Sequence, residues 1–510
     1  MRVGIDLGTT NTVVSYIDEN GYWKLLQFRQ NGRDRDPAFL PSCVAVKNGS
    51  VIVGQPALLH GVEHPDDFIA DTKYDMGDPE KHYHVGGLLL DPGMCAEYIL
   101  REVLHELNRQ FPQERSFHAF VTVPARFGNE ARQATKAALM AAGFETDKET
   151  LTDEPIAAAI AYSTRLDRDK LVLVVDIGGG TFDLSLLKTS IVGSALHPDR
   201  LEPVAWESDL HLGGNDVDDL LVRMMTRKFA EETGHDLYAP PGTIFARPEE
   251  TRAAALIRAQ ALRLKSQLYS EDMGVASVYL PQLLDGKELD FSLTREVYQH
   301  EMRELTMRFS HMVQNVFSGS GYAVGDVDHV LIVGGMAHEI CLRELLARMF
   351  GRGRLIIPDD PMFLVSKGAA ICNSNQKIHI ENKAYSSIGI LKKGRTAVVP
   401  IIAEGAAVHT GDVFKAELQP EQAGATSVSI ELVEYRGQFD PRTCTTILRT
   451  SVPLADSTPQ SGILHQILRR QPLPKLKFEA IFTEDKILQI TVTQTDGTRH
   501  ALDVRLGGRS

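Results

Sequence analysis

"VGIDLGTTNTVV", residues 3–14, decides the fold of this chain. Its apolar residues alternate with others up to a short polar stretch, and two valines then resume the apolar run, which predicts a β-hairpin. An isolated stretch of this kind is usually an ordinary turn, because glycine permits unusual backbone angles and Asp or Thr can bond locally. What the hairpin does therefore depends on whether the pattern occurs again.

The pattern returns in "LVLVVDIGGGTFDLSLL", residues 171–187. An apolar strand again runs into an aspartate, then into glycines and a threonine, and then into a second strand. Such self-similarity indicates two similar lobes, each opening with a glycine-rich hairpin, the second starting near residue 171.

Both loops carry residue types that suit phosphate and magnesium. Where no Cβ blocks the approach, successive backbone N–H groups can converge on an anion, and threonine hydroxyls add further donors. An aspartate at each strand end supplies hard oxygen that Mg²⁺ accepts directly or through its retained waters. Two such loops facing each other would clamp a metal-bound polyphosphate.

Two further glycine pairs occur later, in "HLGGNDVDDLL", residues 211–221, and in "HVLIVGGMAHEICLRELLARMFG", residues 329–351. The last segment predicts a short strand, a close backbone approach and a helix. That pattern suits nucleotide contact, but it suits tight packing equally well. The residues alone leave both interpretations open.

Between the hairpins, the sequence predicts a buried strand over 117–127 and a helix from residue 129 that is closed by Gly143. "DEPIAAAIAY", residues 153–162, predicts a helix with proline in its first turn. Glu154 is then either a favourable charge at a helix start or a residue of the site.

Composition restricts the class of protein. The 510 residues carry a formal net charge of -13, which argues against a dedicated nucleic-acid or membrane-surface protein. The five cysteines are scattered and odd in number, so neither a disulfide framework nor a zinc site is predicted. With no leader pattern and no apolar span of membrane length, we expect a soluble, cytoplasmic protein.

From Tyr385 onward the pattern changes to strands. Segments such as "SVSIELVEYRG" and "LKFEAIFTEDKILQITVTQTDG" alternate with period two between turn residues, which predicts an antiparallel β domain in the form of a β-sandwich. Such a domain can bind extended peptide through backbone hydrogen bonds and an apolar pocket. It can also simply pack on another domain or protein.

Together these segments resemble the heat-shock protein 70 chaperone family, whose nucleotide domain has the actin and sugar-kinase fold. The resemblance covers about residues 1–375, and the C-terminal third follows the family's peptide-binding sandwich more weakly. It implies an α/β two-lobed actin-like ATPase domain over 1–375, an interdomain linker over 376–384 and an all-β sandwich domain resembling a substrate-binding domain over 385–510. The motifs that carry it, in the family's order, are "GIDLGTTNT", "VTVPARF", "DEPIAAAIAY", "VVDIGGGTFD", "HLGGNDVDD" and "VLIVGG".

The resemblance also implies a role for each site residue, with ATP or ADP and Mg²⁺ as the cofactors. Asp6 and Asp176 would hold hydrated magnesium. Lys73 would position the attacking water, and Glu154 and Thr181 would complete the catalytic set with the two aspartates. The residues expected to bind the nucleotide are Gly8, Thr9, Thr10, Asn11, Gly178, Gly179, Gly180, Thr181, Gly213, Gly214, Lys265, Gly334, Gly335 and His338.

The base site departs from the family's pattern. We therefore expect phosphate binding to be intact and adenosine binding to be weakened or its base preference altered. Leu262 replaces a glutamate of the family, and Ser266 replaces an arginine. Met336 replaces a serine, His338 replaces an arginine, and Met362 replaces an aspartate.

The partners implied are extended polypeptide and a nucleotide-exchange factor, without nucleic acid or membrane. Thr150 stands where the family has an arginine used with J-domain partners, so standard J-domain stimulation is not expected. The linker retains Ile378 and Ile380 in alternation, but Glu381 and Asn382 are unusual there. The chain stops at "LGGRS", so we expect no C-terminal helical lid and rapid peptide exchange.

Two functions from different classes follow. The first is an ATP-dependent chaperone-like protein that hydrolyses ATP slowly and couples hydrolysis to polypeptide binding by a lidless β domain. The second is a nucleotide-sensing interaction or scaffold protein with little hydrolysis and one dedicated partner. A small-molecule kinase is disfavoured, because no acceptor-site base is assigned.

Overall fold

In a computed structural model of the chain, two compact units are distinguished. The first comprises Met1–Met76, Lys81–Arg126 and Thr135–Ile380, and the second comprises Gly77–Glu80, Phe127–Ala134 and Glu381–Ser510. The structure describes residues 1–502 apart from 30–37, 147–149, 164–168, 191–199, 210, 240–242, 244, 270–273, 375–378, 381–383, 385–386, 393–396, 407, 409–411, 420–426, 436, 443, 455–474, 483–487 and 495.

Helices and strands alternate up to residue 374, and strands follow. The helices are α1 (Gln55–Glu63), α2 (Pro92–Gln110), α3 (Asn129–Ala142), α4 (Glu154–Tyr162), α5 (Gly214–Thr233), α6 (Pro248–Leu268), α7 (Arg295–Glu301), α8 (Arg303–Phe317), α9 (Ile340–Phe350) and α10 (Leu364–Asn373). The strands before residue 200 are β1 (Arg2–Leu7), β2 (Asn11–Ile17), β3 (Trp23–Leu25), β4 (Leu40–Pro41), β5 (Val44–Lys47), β6 (Ser50–Val53), β7 (Phe68–Ile69), β8 (Tyr83–Val85), β9 (Leu88–Leu90), β10 (His118–Val123), β11 (Leu151–Asp153), β12 (Leu171–Ile177) and β13 (Phe182–Ser190). The later strands are β14 (Arg200–Asp209), β15 (Val275–Leu284), β16 (Lys287–Thr294), β17 (His329–Val333), β18 (Leu355–Ile356), β19 (His379–Ile380), β20 (Ser387–Leu391), β21 (Val398–Ile402), β22 (Val413–Leu418), β23 (Ser427–Tyr435), β24 (Thr445–Pro453), β25 (Leu476–Phe482), β26 (Leu488–Thr493) and β27 (Arg499–Leu502).

The first unit is an α/β fold whose main sheets repeat one arrangement. One sheet has the order β11-β10-β1-β2-β3, with β4 on β2, and the other has the order β18-β17-β12-β13-β14-β19. In the first sheet, β1 forms a hairpin with β2 and pairs in parallel with β10. In the second sheet, β12 forms a hairpin with β13 and pairs in parallel with β17. Within the first unit, we call residues 1–162, which include the β1 sheet, the first lobe. We call residues 171–356, which include most of the β12 sheet, the second lobe.

The continuous apolar run of β12 is explained by burial on both faces of its sheet. Successive side chains of a strand point to opposite faces. Leu173 and Val175 enter a core with α5, α6, α8 and α9, whereas Val172 and Val174 enter a core with α4 and α10. Both faces of the sheet are therefore covered, as expected for strands paired in parallel.

Helix α10 covers the sheet of the first lobe, although it comes far later in the chain. A Cβ on Gly4 would be 2.0 Å from the backbone nitrogen of Ala370, so the helix lies directly on β1. The Asn373 side-chain amide donates to the carbonyl oxygens of Val3 at 2.9 Å and His118 at 2.8 Å. The end of α10 is thus bonded to both β1 and β10.

The second unit contains antiparallel sheets around a shared apolar core. Its sheets have the orders β21-β20-β23-β24 and β22-β25-β26-β27. Ile430 and Leu432 from one sheet and Phe478 and Ile490 from the other belong to one buried cluster. The alternation of β23 therefore gives one face to the core and the other to solvent.

The segment expected to link the domains is described only in part. Strand β19 pairs in parallel with β14, with His379 opposite Arg200 and Ile380 opposite Leu201. Ile378, Glu381, Asn382 and the final residues 503–510 lie outside the described residues. No helix in the described part of the chain combines the length and apolar character needed to cross a bilayer.

Candidate functional site

A cavity of about 290 Å³ lies between the two glycine-rich hairpins of the first unit. Most of the site residues expected from sequence line it, although they come from strands and helices scattered along the chain. These residues are Asp6, Gly8, Thr9, Thr10, Asn11, Lys73, Glu154, Asp176, Gly178, Gly179, Thr181, Gly214, Lys265, Gly334 and Gly335. Gly180, Gly213 and His338 are not among the lining residues.

The two hairpin loops contact each other at their tips. A Cβ on Gly179 would be 1.9 Å from Thr10 Oγ1, so only glycine leaves room for this threonine. The Thr9 hydroxyl is buried and has no hydrogen-bond partner among the described residues. Such an orphaned donor beside glycine backbone suits a phosphate oxygen.

The third glycine pair supports the second loop from behind. Gly214 N–H donates to Gly178 O at 3.1 Å, and Asn215 N–H donates to Gly179 O. A Cβ on Gly213 would be 2.8 Å from the Gly179 carbonyl oxygen, which explains the glycine there. Gly213 is therefore a packing residue beside the cavity wall.

Gly180 faces a different neighbour. A Cβ on it would be 1.5 Å from the hydroxyl oxygen of Tyr74, so the phenol rests on the backbone of the second loop. Sequence reasoning passed over Tyr74, although it follows Lys73 directly. Lysine followed by an aromatic residue in a short polar segment gives no pattern that identifies a contact with a distant loop.

Lys73 and Glu154 form a buried ion pair in the cavity. Lys73 lies on a 3-10 turn, Thr72–Asp75, and Glu154 is the first residue of α4. Lys73 Nζ is 2.5 Å from Glu154 Oε1, and both side chains are at least nine-tenths buried. Burial alone lowers the pKa of the lysine ammonium, but the carboxylates of Glu154 and Asp6 outweigh it and raise that pKa.

Three aspartates surround this pair with buried negative charge. Burial, reinforced by Glu154, raises the pKa of Asp6 to about 7 and that of Asp183 to about 7. The same causes raise the pKa of Asp176 well above its ordinary value. The Asp6 carboxylate accepts a hydrogen bond from Thr122 at 3.2 Å. This concentration of carboxylates would be relieved by a bound cation.

The arrangement fits a hydrated magnesium ion better than a directly chelated metal. Among the described residues, no group of three or more His, Cys, Asp or Glu side chains is placed to hold a metal ion. Mg²⁺ keeps several of its waters and often takes only one or two carboxylates in addition to phosphate oxygens. Asp6 and Asp176, which both line the cavity, are the two carboxylates expected to take that part.

Asp183 is the acidic residue that sequence reasoning missed. It is the second residue of β13, where polar and apolar residues alternate, and it follows Thr181 by two positions. Ser208 Oγ donates to its Oδ1 at 2.7 Å, and its Oδ2 is buried with no hydrogen-bond partner among the described residues. The strict alternation after the loop was the signal that could have identified it.

The opposite end of the cavity is lined by apolar and thioether side chains. Met336 is buried and Leu262 is half exposed, and both line the cavity together with Met362. The Ser266 hydroxyl donates back to the Leu262 carbonyl at 3.1 Å within α6. His338 is exposed, while Met336 and Ala337 just before it are buried.

Lys265 is the charged group at this end. Its ammonium lies 2.6 Å from the Asp218 carboxylate and donates to Gly214 O at 3.3 Å. The lysine is thereby fixed beside the start of α5. It remains among the residues that line the cavity.

Comparison with known proteins gives consistent matches over the same region. The family described as "Hsp70 protein" matches residues 2–86 and 82–379. The chain is 29% identical over 375 residues to the chaperone protein DnaK of Thermosipho melanesiensis, covering 72% of this chain and 58% of that protein. It is 28% identical over 376 residues to chaperone protein DnaK of Thermotoga petrophila, with the same coverage. The chain thus matches 58% of the length of these curated relatives.

Proposed function

The chain belongs to the Hsp70 protein family, and we propose that it binds ATP with magnesium, hydrolyses it slowly and couples this cycle to the binding of extended polypeptide. The observation that carries the proposal is the buried Lys73–Glu154 pair, set among aspartates between two glycine loops. Such a site concentrates what phosphoryl transfer needs, namely positioned donors and charges, and it needs no covalent nucleophile.

The glycine loops would hold the phosphates. Backbone N–H groups of Gly8, Thr9 and Thr10 would face those of the second loop across the nucleotide. Asp6 and Asp176 would hold magnesium through its waters. When bound, Mg²⁺ neutralises charge on the phosphate oxygens.

Lys73 would position the attacking water. Because its pKa is raised, the ammonium stays protonated, so it acts as a donor and a positive charge rather than as a base. Glu154 accepts its hydrogen bond and fixes its direction. The Thr181 hydroxyl would hold the water or the terminal phosphate from the other side.

The polypeptide would bind to the C-terminal strands. In this proposal residues 1–375 form the nucleotide-binding domain, 376–384 the linker and 385–510 the polypeptide-binding domain. Within the described residues, β21 and β24 end one sheet and β22 and β27 end the other. An edge strand offers backbone groups to which an extended peptide can add. A cytoplasmic location and a nucleotide-exchange factor belong to the same proposal.

A second function is favoured by the base end of the cavity. Leu262 is 49% exposed and Ser266 turns back on its own helix, so neither offers the polar contacts that would select adenine. A nucleotide-sensing interaction protein needs only a bound polyphosphate and one fixed partner. Prevention of aggregation of several unrelated unfolded proteins would distinguish a chaperone from such a protein.

Single-turnover hydrolysis of ATP with Mg²⁺ tests the proposal directly. The parent is compared with Lys73→Ala and Thr181→Ala, and with Lys228→Ala as a control at a lysine on the exposed face of α5. We expect the parent and the control to yield product, and Lys73→Ala to bind nucleotide without yielding it. A parent that binds ATP but forms no more product than the two site variants would favour the nucleotide sensor instead.

A further inference from the structure

The turn that carries Lys73 also reaches across to the second lobe. Residues 72–75 form a 3-10 turn, in which Lys73 points into the cavity and Tyr74 lies against the second glycine loop. Because the two residues are adjacent in one tight turn, a displacement of Tyr74 would also displace Lys73.

Tyr74 makes three contacts with the second lobe. Its hydroxyl rests on Gly180, and its ring centroid lies 5.1 Å from that of His211 at an angle of 45°. Burial raises the pKa of the Tyr74 phenol, and the Asn215 side chain beside it acts in the opposite sense. One residue of the first lobe thus contacts both the loop and the segment that supports the loop.

Asp71, at the start of the turn, makes a second connection to Asn215. The Asn215 amide donates to Asp71 Oδ1 at 3.3 Å, while the backbone N–H of Asn215 donates to Gly179 O. Asp71 has a positive φ of 57°, a conformation that few non-glycine residues adopt and that its surroundings must hold in place. Asn215 therefore joins the turn to the second loop.

The side chains of Asp71, Tyr74 and Asn215 are only partly buried, unlike the apolar cores of either lobe. Hydrogen bonds to half-buried side chains exchange readily with water, so they can open without unfolding a core. Of the three residues, Asn215 lines the cavity together with Lys73 and both glycine loops, and Tyr74 follows Lys73 directly in the turn. The position suits a closure that nucleotide must pass.

We propose that Asp71, Tyr74 and Asn215 form a latch between the lobes that closes the phosphate end of the cavity and keeps Lys73 in position. Opening of the latch then limits the rate at which cleaved phosphate and the remaining nucleotide leave. The inference rests on the proposed function for the identity of the ligand. All three are positioning residues, since they act through Lys73 and the second loop.

The test measures release separately from cleavage. Dissociation of ADP carrying a fluorescent N-methylanthraniloyl group is followed by stopped-flow, phosphate release by a fluorescent phosphate sensor, and ATP cleavage by acid quench. The variants are Tyr74→Phe, which keeps the ring and removes the hydroxyl, Tyr74→Ala and Asn215→Ala. Tyr83→Phe is the matched control, because the Tyr83 hydroxyl bonds Asp75 of the same turn at 2.8 Å without a contact to the second lobe among those described.

We expect Asn215→Ala and Tyr74→Ala to speed ADP dissociation about tenfold and Tyr74→Phe about threefold, since each lost polar contact contributes modestly. Phosphate release should accelerate relative to cleavage in the same order, and Tyr83→Phe should match the parent. Unchanged melting temperatures of the nucleotide-free variants would exclude simple unfolding.

The latch is overturned if all three variants release ADP within about twofold of the parent, or if Tyr83→Phe releases it as fast as they do. The dissociation assay requires binding but no hydrolysis. A parent that binds ADP and cleaves no ATP therefore contradicts the proposed enzyme while the latch is still measured. A parent that binds no nucleotide overturns both.

Discussion

Lys73 on the turn before β8 and Glu154 at the start of α4 form an ion pair that is almost fully shielded from water. Each charge is tolerable only because the other is present, since an isolated buried ion loses its hydration without compensation. Asp6 adds a second negative neighbour to the lysine, so the ammonium balances more than one carboxylate.

Removing the lysine charge should therefore destabilise the nucleotide-free protein. We expect Lys73→Met to lower the free energy of unfolding by about 3 kcal/mol, because Glu154 is left buried and unpaired. The double variant Lys73→Met with Glu154→Gln should lose less than the sum of the single changes. Urea unfolding measures both, with Lys170→Met as control, because the Lys170–Asp328 pair is about one-third exposed and should change stability by less than about 1 kcal/mol. Equal losses at the two lysines would contradict the argument.

The aspartates should make stability fall as pH rises. The pKa of Asp6 and that of Asp183 are each raised from 3.8 to about 7 in the folded state, so the native protein holds protons that the unfolded chain has already lost. Their contribution is complete below about pH 4 and is lost as pH rises through about 7.

Asp183→Asn tests this sign. Without magnesium or nucleotide, we expect the parent to lose on the order of 2 kcal/mol of unfolding free energy between pH 5 and pH 7.5. The variant should lose distinctly less and should be the more stable protein at pH 7.5. Thermal and urea unfolding across this range give the slopes, and parallel slopes for the two proteins would refute the prediction.

Base selectivity should be weak. The apolar end of the cavity offers stacking area but few polar contacts, so we expect ATP to be preferred over GTP by less than about tenfold. Ser266→Arg should strengthen ATP binding several-fold by placing a guanidinium where it can stack on the base. Competition titrations of ATP, GTP and tripolyphosphate measure how much the base adds to binding. Leu256→Arg is the control, because it adds the same charge at an exposed position of α6. Tight ATP selectivity in the parent would rule out the prediction.

The C-terminal core should depend on Phe478. Its side chain is fully buried between the sheets of the second unit, and Phe478→Ala should cost about 3–5 kcal/mol. Ile481 on the same strand is 36% exposed, so Ile481→Ala should cost far less. Limited proteolysis with fragments identified by mass would report opening of this unit, and similar sensitivity in both variants would count against the assigned core.

Patterns within short segments of the sequence predicted the glycine-rich hairpins and the start of α4. The alternation before Asp6 and the glycines after Asp176 predicted the hairpins, and Pro155 marked the start of α4. The family assignment is confirmed by the match over residues 2–379. Roles assigned to individual residues stay predictions.

Contacts between distant segments could not be predicted in the same way. Periodicity indicates that Val3, Ile5 and Leu7 share one face of β1, but not that α10 lies on the opposite face, against Gly4. Tyr74 and Asn215 meet only after both lobes have folded. Tyr74 belongs to none of the motifs, and the motif "HLGGNDVDD" that contains Asn215 does not indicate its partner. The family pattern placed His338 beside the base, whereas the residues alone allowed a solvent-facing histidine. In the structure His338 is exposed and Met336 is buried.

The bonds from Asn373 to Val3 and His118 also bear on how the chain is made. A ribosome releases β1 and β10 long before it reaches α10, so the face of the sheet at Gly4 stays uncovered in the nascent first lobe. Contacts this far apart in sequence form slowly, and an uncovered strand surface invites aggregation meanwhile. During its own synthesis, this member of a chaperone family is therefore a candidate for protection by other chaperones.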